Sequence, residues 1–275
     1  GLISGLVLGV STAFLIEYLD DTAKSSEDVS QILGLNTLGT VVRFPKVRKL
    51  RDGLVTIEKA RSPYAEAYRS LRTNLQFSSL ANPAAALVVT SAGPREGKST
   101  TLANIGVAIA QSGKRVILAD TDLRHPSLHK FFGLPEEPGI TNVLLGEIHN
   151  LDSVLRETEV PGLHVLVSGT HPPNPAELLA SRLMGGLVEA LKQRADIVLL
   201  DSPPILPVTD ATLLAAKAGS VLWVIDAGTT RTDVLRKAKE ALAQVDAKIL
   251  GVVLNRASEA SAYGYYYWFF AVSSG

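Results

Sequence analysis

The chain has 275 residues, room for one ordinary α/β domain with extra segments at its ends but cramped for two. Lys plus Arg and Asp plus Glu each number 27, so the zero formal charge speaks against a globally basic nucleic-acid binder. With 46% hydrophobic and 20% charged residues a wholly disordered chain is excluded, and the absence of cysteine removes disulfides, Cys-ligated zinc and iron–sulfur clusters.

Residues 1–16 carry no ionisable side chain before Glu17. Sixteen helical residues span about 24 Å, short of the roughly 30 Å hydrocarbon core, so the run reads as the C-terminal part of a transmembrane helix. Gly1, Gly5 and Gly9 form a small-residue stripe suited to helix contact in lipid. No basic stretch precedes the run, which disfavours a secretory signal. Asp20 and Asp21 follow, then Arg43, Lys46, Arg48, Lys49 and Arg51 gather in a cluster that suits an anionic inner-leaflet surface. With Gly1 at its start and Met184 as its one methionine, the sequence reads as a piece of something longer, or as a processed or engineered chain. The expected organisation is a membrane helix over 1–19, a juxtamembrane segment over 20–60, a folded domain over 61–256 and a tail over 257–275.

Ser62-Pro63 is a helix start, Ser as cap and Pro at the first helical position, with the helix running to about Ser78. From residue 86 onward, nearly continuous apolar runs alternate with helical patterns. Strands are expected at 86–91, 116–120, 163–168, 197–201, 220–226 and 249–255, and helices at 98–112, 175–194, 209–218 and 233–244. That alternation predicts an α/β fold with a doubly wound, mostly parallel sheet.

The first of these strands runs into Ala92-Gly93-Pro94-Arg95-Glu96-Gly97-Lys98-Ser99-Thr100, nearly G-x-x-x-x-G-K-[ST] with Ala92 in place of the first glycine. Such a loop turns backbone N–H groups onto phosphate oxygens at a helix N-terminus. Gly97 allows close approach, Lys98 reaches the β- and γ-phosphates, and the Ser99 hydroxyl can ligate Mg²⁺. Asp120, Asp122 and Asp201 follow the ends of two apolar strands, where open α/β sheets place their ligands and where a nucleotidase keeps its Mg²⁺-side carboxylates. His125 and His129 have the spacing of a metal pair but lack a third ligand, so surface or packing roles are expected. Four of the seven tyrosines, Tyr263, Tyr265, Tyr266 and Tyr267, crowd into five residues after a small, polar stretch. An extended chain from Arg256 to Tyr265 reaches roughly 30 Å.

Taken together, these residues resemble the bacterial tyrosine kinases of capsule and exopolysaccharide systems, a family with a P-loop NTPase-type fold. The loop over 94–99 looks like their Walker A motif, Asp120, Asp122 and Arg124 like their D-x-D-x-R pattern, and Asp201 in LLDSPP like their Walker B. The PPNPAELL stretch over 172–179 and the membrane-helix exit at Asp20-Asp21 extend the likeness over nearly the whole chain. The resemblance implies ATP and Mg²⁺ as cofactors. Gly93, Pro94, Arg95, Glu96, Gly97, Lys98, Ser99, Thr100 and Arg124 would bind the nucleotide, and Asn255 its adenine. Ser99, Asp122 and Asp201 would organise the metal. Asp120 would deprotonate or orient the attacking phenol, whose ordinary pKa is near 10.

Glu66, Arg69 and Arg72 match the E-x-x-R-x-x-R motif through which the family forms rings, an octamer among the sizes; alone, the spacing is equally that of an intrahelical ion pair. The tail tyrosines would be the acceptors, modified in trans. Implied partners are other copies of the chain, the inner (cytoplasmic) membrane with the kinase on its cytoplasmic side, the polysaccharide co-polymerase and export machinery, and a protein-tyrosine phosphatase; nucleic acid is not among them. The alternative is a MinD/ParA-like membrane-associated switch ATPase without kinase activity. Those proteins carry a lysine five residues before the loop lysine, where this chain has Gly93. A catalytically idle scaffold is opposed by the intact Lys98, Ser99 and three aspartates.

Overall fold

The computed structural model describes residues 1, 21–44, 49–78 and 85–258. The expected membrane helix and the tyrosine-rich tail fall almost wholly outside them. Among the described residues, no helix is long and apolar enough to cross a membrane.

In chain order the elements begin with α1 (Ser26–Leu33), β1 (Thr37–Val42), α2 (Val55–Glu58) and α3 (Pro63–Ser78). Then come β2 (Ala86–Ser91), α4 (Lys98–Ala110), β3 (Val116–Asp120), α5 (Leu128–Phe132), α6 (Ile140–Leu144), β4 (Arg156–Glu157) and β5 (Leu163–Leu166). The remainder is α7 (Pro175–Ala180), α8 (Arg182–Lys192), β6 (Ile197–Asp201), α9 (Asp210–Ala218), β7 (Ser220–Asp226), α10 (Thr232–Ala243) and β8 (Lys248–Ala257). Eight strands form one sheet in the order β1-β8-β7-β2-β6-β3-β5-β4, parallel except for the short edge strand β4. Helices cover both faces, which is why β2, β3 and β7 read as almost unbroken apolar runs.

Two apolar layers, one per face, make up the core. One gathers Trp223, Met184, Leu187, Leu214 and Leu235, and the other gathers Tyr68, Leu71, Leu102, Ile105, Phe131 and Leu199. The helix α4 that follows the phosphate loop sits hard against β3: a Cβ on Gly106 would stand 2.5 Å from a Leu118 methyl. That close approach holds the loop at the centre of the sheet, over β2 and between β7 and β6.

Three of the boundaries that differ from the sequence reading bear on the architecture. The sheet begins at Thr37 rather than after residue 61, because TLGTVV pairs parallel with β8 more than 200 positions further along the chain. Segment 21–25 is tied down as well: the Ala23 amide donates to Thr230 O at 3.2 Å, and the Gly228 amide donates to Ala23 O at 2.8 Å. The single helix expected over 175–194 is two. Ser181 breaks it with an extended backbone (ψ 157°), and its Oγ caps the second by accepting from the Met184 amide. Strand β8 also runs on to Ala257, two residues past the expected end.

Candidate functional site

The phosphate loop leaves β2 at Ser91 and enters α4 at Lys98. Its shape requires two left-handed backbones, Gly97 at φ 94° and Arg95 at φ 63°. Glycine adopts that region freely, whereas arginine is strained there and must be held. The holding groups come from the far end of the chain. Arg256 Nη1 donates to Arg95 O at 2.9 Å and to Asp226 Oδ2 at 2.7 Å, and Asn255 Nδ2 donates to Glu96 O at 2.8 Å. Within the loop, the Gly93 amide donates to Glu96 Oε1 at 3.0 Å, and the Thr230 hydroxyl donates to the same oxygen at 3.1 Å. Thr100, in the first turn of α4, accepts the Asn104 side-chain amide on its carbonyl.

Lys98 turns back from the loop toward the aspartates. Its Nζ lies 2.8 Å from Asp122 Oδ2, 3.8 Å from Asp201 Oδ1 and 3.4 Å from Ser99 Oγ. Burial pulls the ammonium down, but Asp201 and Asp122 outweigh it and hold the pKa above the ordinary lysine value. Asp120 and Asp201 close adjacent strands as register partners. Asp120 Oδ2 accepts the amides of Ser127 and Leu128 at 2.8 Å each, while its Oδ1 is buried without a hydrogen bond. Burial, with Asp201 beside it, raises the Asp120 pKa; burial likewise raises that of Asp201, against the pull of Lys98. Such a carboxyl group is suited to accept a proton from a weak acid.

The structure therefore brings Lys98, Ser99, Asp120, Asp122 and Asp201 together. Other expected residues have partners of their own within the fold. Arg124 grips Asp210 with two hydrogen bonds, 2.8 and 3.0 Å, so it anchors the start of α9. Asn255 spends its side-chain N–H on the loop backbone. Arg69 pairs with Glu66 at 2.7 Å on the same helix, and Arg72 Nη1 caps α4 through Ala108 O at 3.1 Å. His129 is buried, with Nε2 3.8 Å from Glu136, in keeping with a packing role. Thr230, Asp226, Arg256 and Asp210 were not singled out by sequence reasoning. Each meets its partner across at least 30 residues, beyond the reach of any local motif.

Among the described residues no cluster of three His, Cys, Asp or Glu forms a self-sufficient metal cage. Ser99, Asp122 and Asp201 instead offer a partial, all-oxygen set, with both Asp201 oxygens buried and lacking hydrogen-bond partners. That set fits a Mg²⁺ whose other ligands come from phosphates and water. Beside the loop, a cavity of about 570 Å³ is lined by Lys24, Arg43, Ala227, Gly228, Arg256, Ala257 and Ser258.

Residues 87–265 match the model of the CobQ/CobB/MinD/ParA nucleotide binding domain. Tyrosine-protein kinase YwqD of Bacillus subtilis (strain 168) is 41% identical over 220 residues, covering 79% of this chain and 92% of that protein. Putative tyrosine-protein kinase EpsB of Ralstonia nicotianae is 35% identical over 272 residues, covering 96% of this chain but 36% of its own longer one. Among solved structures, the chimerical protein CapA2B2 superposes with a TM-score of 0.79 at 37% identity, covering 85% of this chain and all of that one. The nucleotide-binding fold is shared with the switch ATPases; the kinase relatives favour the kinase reading over that alternative.

Proposed function

Since the chain belongs to the bacterial tyrosine kinases, built on the CobQ/CobB/MinD/ParA nucleotide-binding domain, we propose that it moves the γ-phosphoryl group of ATP onto tyrosines of its own C-terminal tail, from one copy to another. The observation that carries this reading is the meeting of Lys98 with Asp122, Asp201 and the neighbouring Asp120 at the mouth of the phosphate loop.

In this reading the loop amides and Lys98 bind and orient the phosphates. Lys98 gives up its carboxylate partners as the γ-phosphoryl group enters. Ser99, Asp122 and Asp201 would hold Mg²⁺, which supplies charge neutralisation at the phosphates. The cavity lined by Gly228, Arg256 and Ala257 is the proposed place of the base and ribose. Asp120 takes the phenolic proton while the tyrosine oxygen bonds to the γ-phosphorus and the bond from that phosphorus to the β–γ bridging oxygen breaks, releasing ADP. Asp120's raised pKa brings it nearer that of the phenol, which eases the transfer. Phosphoryl transfer is mostly positioning and charge compensation, so no covalent nucleophile is needed.

Tyr263, Tyr265, Tyr266 and Tyr267 are the proposed acceptors. Glu66, Arg69 and Arg72 are the proposed contacts of a homo-oligomeric ring that brings one copy's tail to another's site. The proposed setting is the cytoplasmic face of the inner membrane, in polysaccharide polymerisation and export, with a phosphatase to reset the tail. The test is to incubate the chain with ATP and Mg²⁺ and map phosphotyrosine by mass spectrometry. Label beyond Arg256 that disappears in Lys98→Met supports the reading; hydrolysed ATP with an unlabelled tail refutes it.

A further inference from the structure

A carboxyl group inside a loop that meets phosphates is electrostatically adverse, yet Glu96 stands two residues before Lys98 and is only 6% exposed. Its Oε1 serves two donors, the Gly93 amide at the loop's beginning and the Thr230 hydroxyl in the β7–α10 connection. Its Oε2 is buried with no hydrogen-bond partner. The side chain thus bridges the loop to an element 134 residues away. That element is itself latched by segment 21–25, through Ala23 on Thr230 and Gly228 and through Asp21 on the Thr232 amide. Together with Asn255 and Arg256, this bridge anchors a loop that contains the strained Arg95.

We propose that Glu96 is a positioning residue of the phosphate loop, fixing it to Thr230 through Oε1, and that its carboxyl group takes up a proton when nucleotide phosphates bind beside it. The inference rests on the nucleotide-binding reading above. Among the described residues no cation lies within ion-pair distance of Glu96. The charged groups around it are Asp226 at the end of β7, which adds repulsion, and Arg256 on β8, which is engaged by Asp226; Lys98 points away toward Asp122 and Asp201. Burial already holds the free carboxyl at about 7, so protonation is within reach at neutral pH and arriving phosphates drive it further.

Two variants separate bridge from charge. Glu96→Gln keeps an oxygen for Gly93 and Thr230 but cannot ionise, and Glu96→Ala removes both. MgADP is titrated into the full chain by calorimetry between pH 6 and 8.5, in two buffers of different ionisation heat. For a one-unit rise in the carboxyl pKa on binding, wild-type affinity falls about fivefold from pH 6 to pH 8 and proton uptake accompanies binding. Glu96→Gln loses that slope and the associated uptake, contributions from Asp120 and Asp201 being common to both proteins. Glu96→Ala binds at least about tenfold more weakly than Glu96→Gln at every pH, consistent with one lost hydrogen-bond anchor on a strained loop. A Gln variant with the wild-type slope overturns the proton uptake, and an Ala variant matching Gln overturns the positioning role. Should Ala fail to fold, the wild-type and Gln slopes still decide the first point, and Thr230→Val, which removes the same bridge, decides the second. A wild-type chain that binds no MgADP at any pH instead removes the nucleotide reading itself.

Discussion

Gly97→Ala tests how the phosphate loop is built. The residue has φ 94°, and a Cβ there would collide with Asn255 Nδ2. Holding alanine in the left-handed region costs about 1–2 kcal/mol. Asn255 is 5% exposed and donates to Glu96 O at 2.8 Å, so displacing its amide leaves a buried carbonyl unpaired, a further cost of about 1–3 kcal/mol. The expected destabilisation is therefore about 2–5 kcal/mol, read from the urea midpoint at unchanged m-value. If the loop opens locally instead, the same free energy appears as weaker MgADP binding. The second cost runs through Asn255, so Asn255→Ala must be milder in the Gly97→Ala background than in the wild type. A Gly97→Ala chain within about 0.5 kcal/mol of wild type, with unaltered MgADP affinity, or a strictly additive double variant, refutes this account of the loop.

Three further outcomes are expected. Asp210 is fully buried and, among the described residues, its carboxylate is gripped by Arg124 alone among cations, so Arg124→Ala should lower unfolding stability by about 3 kcal/mol, with Arg124→Ala/Asp210→Asn recovering much of it; equal losses in both would count against a buried pair. The Glu96 pKa is raised from the ordinary carboxylate value to about 7, so its proton favours the folded state and this stabilisation is lost as pH rises from about 4.5 through 7; Glu96→Gln should gain up to about 3 kcal/mol on wild type between pH 4.5 and pH 8, and a gain that does not change with pH contradicts it. Arg69→Ala with Arg72→Ala should shift any large assembly to smaller species on sizing, and because Arg72 also caps α4, unfolding must be followed in parallel; an unchanged elution profile removes the ring contact.

The parallel sheet, the phosphate loop and the three aspartates were legible in the residues themselves. Strands β2, β3, β6 and β7 announce burial on both faces by unbroken apolar runs, and Gly97-Lys98-Ser99 after a strand is a local pattern with a local cause. The same local logic misjudged 175–194, where Ser181 is compatible with a helix interior or a cap, and only packing on α9 through Lys217, whose Nζ bonds Ala180 O and Ser181 O, favours the cap.

What the amino-acid order determined alone is thus what short-range periodicity and loop chemistry set: the strands from residue 86 onward apart from the short edge strand β4, the phosphate-loop pattern, and the carboxylates that stand beside it. Tertiary structure decided which distant groups complete that site: β1 joining β8, Thr230 and Asn255 holding Glu96, Arg256 holding Arg95, and Asp210 claiming Arg124. Those pairings arise when the sheet brings strand ends together, and a hydrogen bond between residues 86 or more positions apart leaves no periodic trace in either segment.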